Sequence, residues 1–210
     1  MTDQLLIDKI AVGKMIVPIV GTTPLIVHNF SEKSKRQMLD AQQGKKSVKV
    51  NRDPEAEYQA AFYRIYREGE PEAYGVPAVA FKQATISAAR FYKSVRMSEL
   101  KQALFFRGIL TKADPQQLVE IIGEPQMRED IVRLGGVSRS ADLRFRPEFP
   151  EWRATLEVEY VTSLLSKDSV LSLIDAGGLG VGVCEWRPEK GGDFGRYQID
   201  PAREVTVVES

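Results

Sequence analysis

Apolar positions gather early in the chain. Lys14 to Val20 and Pro24 to Val27 are rich in Ile and Val and are divided by Gly21, Thr22 and Thr23, which predicts two strands about a turn. Ser31 suits the cap of a helix reaching about Gln43, with Gly44 as its stop signal. Residues 44 to 52 hold no period and predict a basic loop or arm. Asp53 before Pro54 predicts a helix start, with the cap outside and proline at the first helical position. That helix runs through Glu57 and feeds a strand near Ala61 to Arg67.

Glu68 to Ala73 turns the chain and Tyr74 to Pro77 is extended. From Val79 to Tyr92 the spacing is helical: Val79, Phe81, Ala84, Ile86, Ala88 and Ala89 supply a packing face, with Lys82, Arg90 and Lys93 outside it. The later pattern is mostly β, at Leu104 to Leu110, Leu118 to Ile122, Ile131 to Leu134, Leu143 to Phe145 and Trp152 to Thr162. A helix from Ser169 to Ala176 follows, then an apolar run Val181 to Trp186 read as a strand, and strands near Phe194 to Ile199 and Glu204 to Val208. This mixture predicts an α+β chain with antiparallel pairing, organised as one elaborated domain over residues 1 to 210.

Composition narrows the chemistry. A chain of 210 residues with 43% hydrophobic content can bury a sound core. Basic and acidic residues both number 29, so any attraction for a polyanion is local. One cysteine, Cys184, and one histidine, His28, leave no internal disulfide and no zinc set, so no metal and no cofactor is expected. Cys184 alternates with Val181 and Val183 and reads as a packed strand thiol. The acidic start and the short apolar runs predict a cytoplasmic protein with no membrane partner.

Charge is segregated. Residues 31 to 52 hold seven basic side chains, Lys45, Lys46 and Lys49 among them, against two acids, and residues 86 to 112 hold six against Glu99. Between them, residues 53 to 72 carry six acids against Arg64 and Arg67. Clustered cations suit phosphate, and solvated helix faces explain them equally. A third set, Arg128, Arg133, Arg139, Arg144, Arg146 and Arg153, holds arginine without lysine, which favours bidentate phosphate contacts and base stacking. Five acids share that stretch, so internal pairing competes. Residues 135 to 142 read as a mobile loop carrying Arg139, ahead of a strand with Arg144 and Arg146 on one face.

The stretch from Gly177 to Arg196 holds seven of the sixteen glycines, Gly177, Gly178, Gly180, Gly182, Gly191, Gly192 and Gly195, threaded with Trp186, Arg187 and Lys190. A nucleotide-cofactor loop leaves a strand and opens a helix, whereas here the helix comes first. Gly177 and Gly178 read as the helix terminator and Gly191 with Gly192 as a hairpin turn, and the same glycines can admit a ligand to the backbone. Trp186 reads either as a stacking platform or as a buried strand residue. His28, beside Asn29, reads as a structural hydrogen-bonding residue or as a general base or acid at a 2′-hydroxyl.

Three segments stand in order: GTTPLIVHN from Gly21, YGVPAVAFKQATISAAR from Tyr74, and GVGVCEWRPEKGGDFGRYQI from Gly180. This order resembles that of the repeat-associated RNA-binding (RAMP) superfamily of CRISPR effectors, its backbone subunits above all. That resemblance implies a modified ferredoxin-like, RRM-like antiparallel sheet with inserted β segments. It covers about a third of the chain, which is short for such a subunit, and the arginine strands have no counterpart in it. The wording of HNFSEKSKRQML, GVPAVAFKQA and EFPEW is similar to proteins of tailed bacteriophages, in which Cys184 would be glycine.

The leading expectation is a non-catalytic phage-type protein that binds single-stranded RNA or DNA and self-associates. Its phosphate contacts would come from Lys82, Arg90, Lys93, Arg139, Arg144, Arg146, Arg187 and Lys190. Two alternatives stand beside it: a RAMP-type endoribonuclease using His28, and a phage structural or host-takeover protein acting through protein contacts.

Overall fold

The structure is a computed structural model that describes residues 7–29, 39–40, 42–44, 52–110, 116–133 and 141–208. Lys45, Lys46, Lys49 and Arg139 lie outside them, as do most of the helix expected from Ser31 and most of the loop expected at residues 135 to 142.

At the centre, β1 (Val12–Gly21) pairs antiparallel along its length with β10 (Arg153–Val161), from Val12 opposite Val161 to Val20 opposite Arg153. Alternation decides which face is inside: Ala154, Leu156, Val158 and Tyr160 are buried while Arg153, Thr155 and Glu157 face water. Met15, Val17 and Ile19 of β1 are fully buried on the same core, each worth about 1.5–3 kcal/mol relative to exposure. On its other side β1 meets β12 (Thr206–Val208) at Lys14–Ile16 and β11 (Tyr197–Ile199) at Ile19–Gly21. The change of partner falls beside Pro18, which has no N–H to offer a continuous ladder.

Between β1 and β10 come β2 (Leu25–Ile26), α1 (Pro54–Ala60), β3 (Tyr63–Ile65), β4 (Ala73–Pro77) and α2 (Ala78–Ser87). Then follow a 3-10 turn (Ala88–Phe91), α3 (Met97–Ala103), β5 (Leu104–Arg107), β6 (Ile109–Leu110), β7 (Gln117–Ile122), β8 (Gln126–Arg133) and β9 (Ala141–Phe149). After β10 comes α4 (Lys167–Gly180). The sheet order β11-β1-β10-β7, with α2 and α4 as the crossovers, is the fourth-first-third-second order of a β-α-β-β-α-β ferredoxin-like unit. β4 and β3 extend that sheet beyond β7, and β2, β9 and β8 form a second, three-stranded sheet.

Local signals account for most boundaries. Asp53 caps α1, its carboxylate accepting from the Ala56 N–H at 3.1 Å, and the helix continues to Ala60, past the expected end. Ser166 caps α4 in the same way through Ser169, at 3.2 Å. α3 occupies a stretch with no predicted element, because seven residues with only Leu100 and Ala103 buried are too few to show a period.

The end of α4 corrects the sequence reading. Gly177 and Gly178 do not terminate the helix, which runs on to Gly180. A Cβ on Gly177 would lie 2.9 Å from the Ala84 carbonyl of α2, and one on Gly178 would collide with the Tyr197 carbonyl. These glycines let the two crossover helices and β11 approach backbone to backbone. Gly180 faces the Phe91 ring in the same way.

Candidate nucleic-acid interface

The stretch Val181 to Trp186 is not a strand. Gly182, Cys184 and Trp186 all have positive φ, at 71°, 64° and 54°, so the backbone turns repeatedly and cannot alternate faces. The segment is fastened on both flanks: the Val183 N–H donates to Gly195, the Glu185 N–H to Ile26, the Phe194 N–H to Trp186, and the Gly195 N–H to Pro24. Left-handed geometry costs a non-glycine residue roughly 1–3 kcal/mol, and it persists where surrounding structure over-determines it. Gly191, also at positive φ, closes a 3-10 turn (Pro188–Lys190) rather than a hairpin.

This segment meets the other two landmarks. The Asn29 N–H donates to the Ala61 carbonyl at 2.8 Å and its side chain to the Phe62 carbonyl at 3.2 Å, which fixes the chain beside His28. His28, the β4–α2 junction around Pro77, Val181 to Glu185 and Arg187 line one cleft of about 320 Å³. Val79, expected in the packing face of the helix, is 53% exposed and lines this cleft. Beyond Cys184, Glu185 and Arg187, which both hollows share, lies a second concavity of about 510 Å³ floored by Gly191 and Gly192 and bordered by Trp186 and Lys190.

His28 stands 3.9 Å through Nδ1 from a Glu185 carboxylate oxygen, with its side chain 16% exposed. Burial lowers its pKa below 6.5, Glu185 opposes that shift, and Arg144 and Arg146 add to it, so the imidazole is neutral at pH 7. Glu185 is held from behind by Arg146, which donates to it at 3.3 Å and to Asp130 at 2.6 Å. Burial pushes the Cys184 thiol up to about 12, which leaves it unreactive.

The predicted cations separate into two groups. Arg146 is 2% exposed and committed to Asp130 and Glu185, so it has no surface for a phosphate. Arg144 donates to Asp142 at 2.7 Å, and Arg128 is paired with Asp130 and Glu148 while lying over the Phe194 ring at 4.8 Å. Arg187 donates to Glu189 at 2.9 Å and to the Cys184 carbonyl at 3.0 Å. Arg90 reaches Glu189 at 3.8 Å while remaining largely exposed. Lys82 donates to the Lys101 carbonyl and lies over Phe105, away from the cleft. Lys93 and Lys190 are exposed.

Trp186 is 43% exposed, which rules out the buried strand tryptophan. Sequence reasoning missed Gln83, Gln116 and Glu185 as cleft residues. Gln83 carries no signal beyond an exposed helix position, and Glu185 carries none apart from its place next to Trp186. Among the described residues no His, Cys, Asp and Glu side chains group as a metal set, and no helix is long and apolar enough to cross a membrane.

No protein-family model matches the chain, and no curated protein sequence does. Among solved structures, a chain of the cryo-EM structure of the Type III-B Cmr-beta bound to cognate target RNA is similar at 10% identity, with a TM-score of 0.42. The alignment covers 94% of this chain and 61% of that one, so this chain spans about three fifths of its neighbour's length. The likeness is too distant to assign an activity or a partner.

Proposed function

We propose that the glycine segment and the cleft beside it form a binding surface for single-stranded nucleic acid. One observation carries this reading: an exposed tryptophan is held in a left-handed backbone by a fastened loop, at the rim of a glycine-floored hollow that also bears Lys190. A base can stack on the indole, worth about 1–3 kcal/mol, while the absence of side chains on Gly191 and Gly192 lets a phosphate approach the backbone. Lys190 supplies charge at that rim, and Arg90, exposed on the 3-10 turn after α2, reaches Glu189 of the neighbouring cleft, with Lys93 two residues beyond that turn. The order of landmarks that resembles the RAMP backbone proteins agrees with a non-catalytic role.

Salt-titrated fluorescence anisotropy with labelled RNA and DNA single strands tests this. Binding that weakens steeply with salt is expected, and no detectable affinity for either strand at low ionic strength removes the reading. The 260 to 280 nm absorbance ratio across a sizing column reports bound strand and self-association together.

A second reading rests on His28, a neutral imidazole opening onto the same cleft. In that position it can take the proton of a 2′-hydroxyl, which would make the surface an endoribonuclease site. RNA left intact by the wild-type chain, or cut equally well by His28→Ala, ends this reading without touching the first.

A further inference from the structure

Resting on the single-strand reading, we infer that the cleft beside His28 takes one unpaired base of the bound strand, and that it favours a base with an exocyclic amino group opposite Glu185, such as cytosine or adenine, over uracil. The cleft and the Trp186 hollow are contiguous through Cys184, Glu185 and Arg187, so a strand stacked on the indole can turn its neighbouring base inward.

Charge excludes phosphate from the cleft. The one guanidinium on its wall, Arg187, is already donated to Glu189 and to the Cys184 carbonyl, and two carboxylates, Glu185 and Glu189, face the same space. A phosphate placed there finds each nearby guanidinium already paired with a carboxylate, Arg187 with Glu189 and Arg146 with Glu185, and so gains no free cation. A flat neutral ring meets apolar walls, with Pro77, Val79 and Val183 on its sides.

The polar groups suit a base edge. The Glu185 side chain is 41% exposed, and its oxygens stand 3.9 Å from His28 and 3.3 Å from Arg146, which fixes the carboxylate while leaving it able to accept. A carboxylate accepts from the cytosine amino group, and a glutamine amide pairs with adenine through one donor and one acceptor. Gln83 is exposed on the cleft wall, and its side-chain amide has no partner among the described residues. Uracil and thymine place a carbonyl where cytosine has its amino group, opposite an acceptor that repels it.

The experiment uses the full chain and short uridine oligomers with a single central position changed to cytidine or adenosine, read by anisotropy at one low salt concentration. One central cytidine or adenosine is expected to tighten binding roughly five- to hundredfold over the all-uridine strand. Glu185→Gln, which keeps the shape and replaces an acceptor by a donor-acceptor amide, is expected to remove or reverse that preference. Gln83→Leu, on an exposed helix face where folding is not at stake, is expected to reduce the adenosine gain. Equal affinity of the wild-type chain for all three oligomers overturns the base pocket and leaves strand binding intact. Binding of none of them overturns the strand reading itself. Free cytidine bound where no strand binds makes the cleft a nucleoside site and overturns the inference as stated.

Discussion

The hairpin of β8 and β9 and the glycine segment were both candidates for a polyanion, and their structures differ in where the charge goes. In the hairpin, register puts Arg128 opposite Arg146 and Asp130 opposite Arg144, so acids and arginines meet directly and diagonally across the ladder. The three arginines there whose side chains the structure describes, Arg128, Arg144 and Arg146, all pair internally. The glycine segment holds fewer cations, yet it presents Trp186 and Lys190 to solvent over a hollow. A count of arginines measures charge that can be neutralised within the fold. Exposure next to a shaped surface measures charge that a ligand can use.

The sharpest way to break this contrast is Arg146→Met. It leaves Asp130, itself 9% exposed, with Arg128 as its one remaining arginine partner among the described residues, at a cost of about 3 kcal/mol, the low end for a broken buried pair. Urea unfolding is expected to show that loss, and a double variant that also carries Asp130→Leu is expected to recover most of it. A loss under about 1 kcal/mol in the single variant would mean that the hairpin arginines are available after all.

Within the glycine segment, Gly178→Val drives a side chain into the Tyr197 carbonyl and is expected to cost about 3 kcal/mol of stability. Gly191→Asn, at a left-handed position with open space around it, is expected to cost less than about 1 kcal/mol by the same measurement. The pair separates packing glycines from turn glycines in one run.

Smaller effects concern the ligand. Trp186→Ala is expected to weaken single-strand affinity by about 1–3 kcal/mol with little change in thermal midpoint. An unchanged affinity would remove the stacking platform. Lys190→Gln is expected to lower the slope of log affinity against log salt by about 0.7, the share of one phosphate on a single strand. The corresponding change at Arg144, already paired with Asp142, is expected to leave that slope alone.

The smallest effect is one of pH. Because the folded pKa of His28 lies below its ordinary 6.5, the unfolded chain takes up that proton first, and stability is lost as pH falls below 6.5. Thermal midpoints between about pH 7 and pH 5.5 are expected to fall less steeply in His28→Gln than in the wild type, and identical slopes would place His28 in an ordinary solvent-exposed setting.

Strands with strict alternation and helices with a clear cap were legible in the sequence. β10, the start of α1 and the body of α2 stand close to where their patterns put them. The run Val181 to Trp186 was not, because its apolar residues follow from burial against the core while its backbone is set by hydrogen bonds with Ile26, Phe194 and Gly195, which are distant in the chain or reached only after the turn. The three landmarks were legible as an ordered set, and their meeting in one cleft was not, since neither His28 nor Gln83 carries a local mark of the other.

Residue types and their order by themselves determined an α+β chain, its antiparallel strands, and the concentration of glycine around Trp186, because these follow from short-range periodicity and backbone freedom. Tertiary structure alone decided that Gly177 and Gly178 are contact points between helices, that Arg146 is a buried tether for Glu185, and that Trp186 stands in solvent. Those outcomes depend on which groups from distant segments lie within hydrogen-bonding or van der Waals distance, and that is a property of packing that local sequence does not encode.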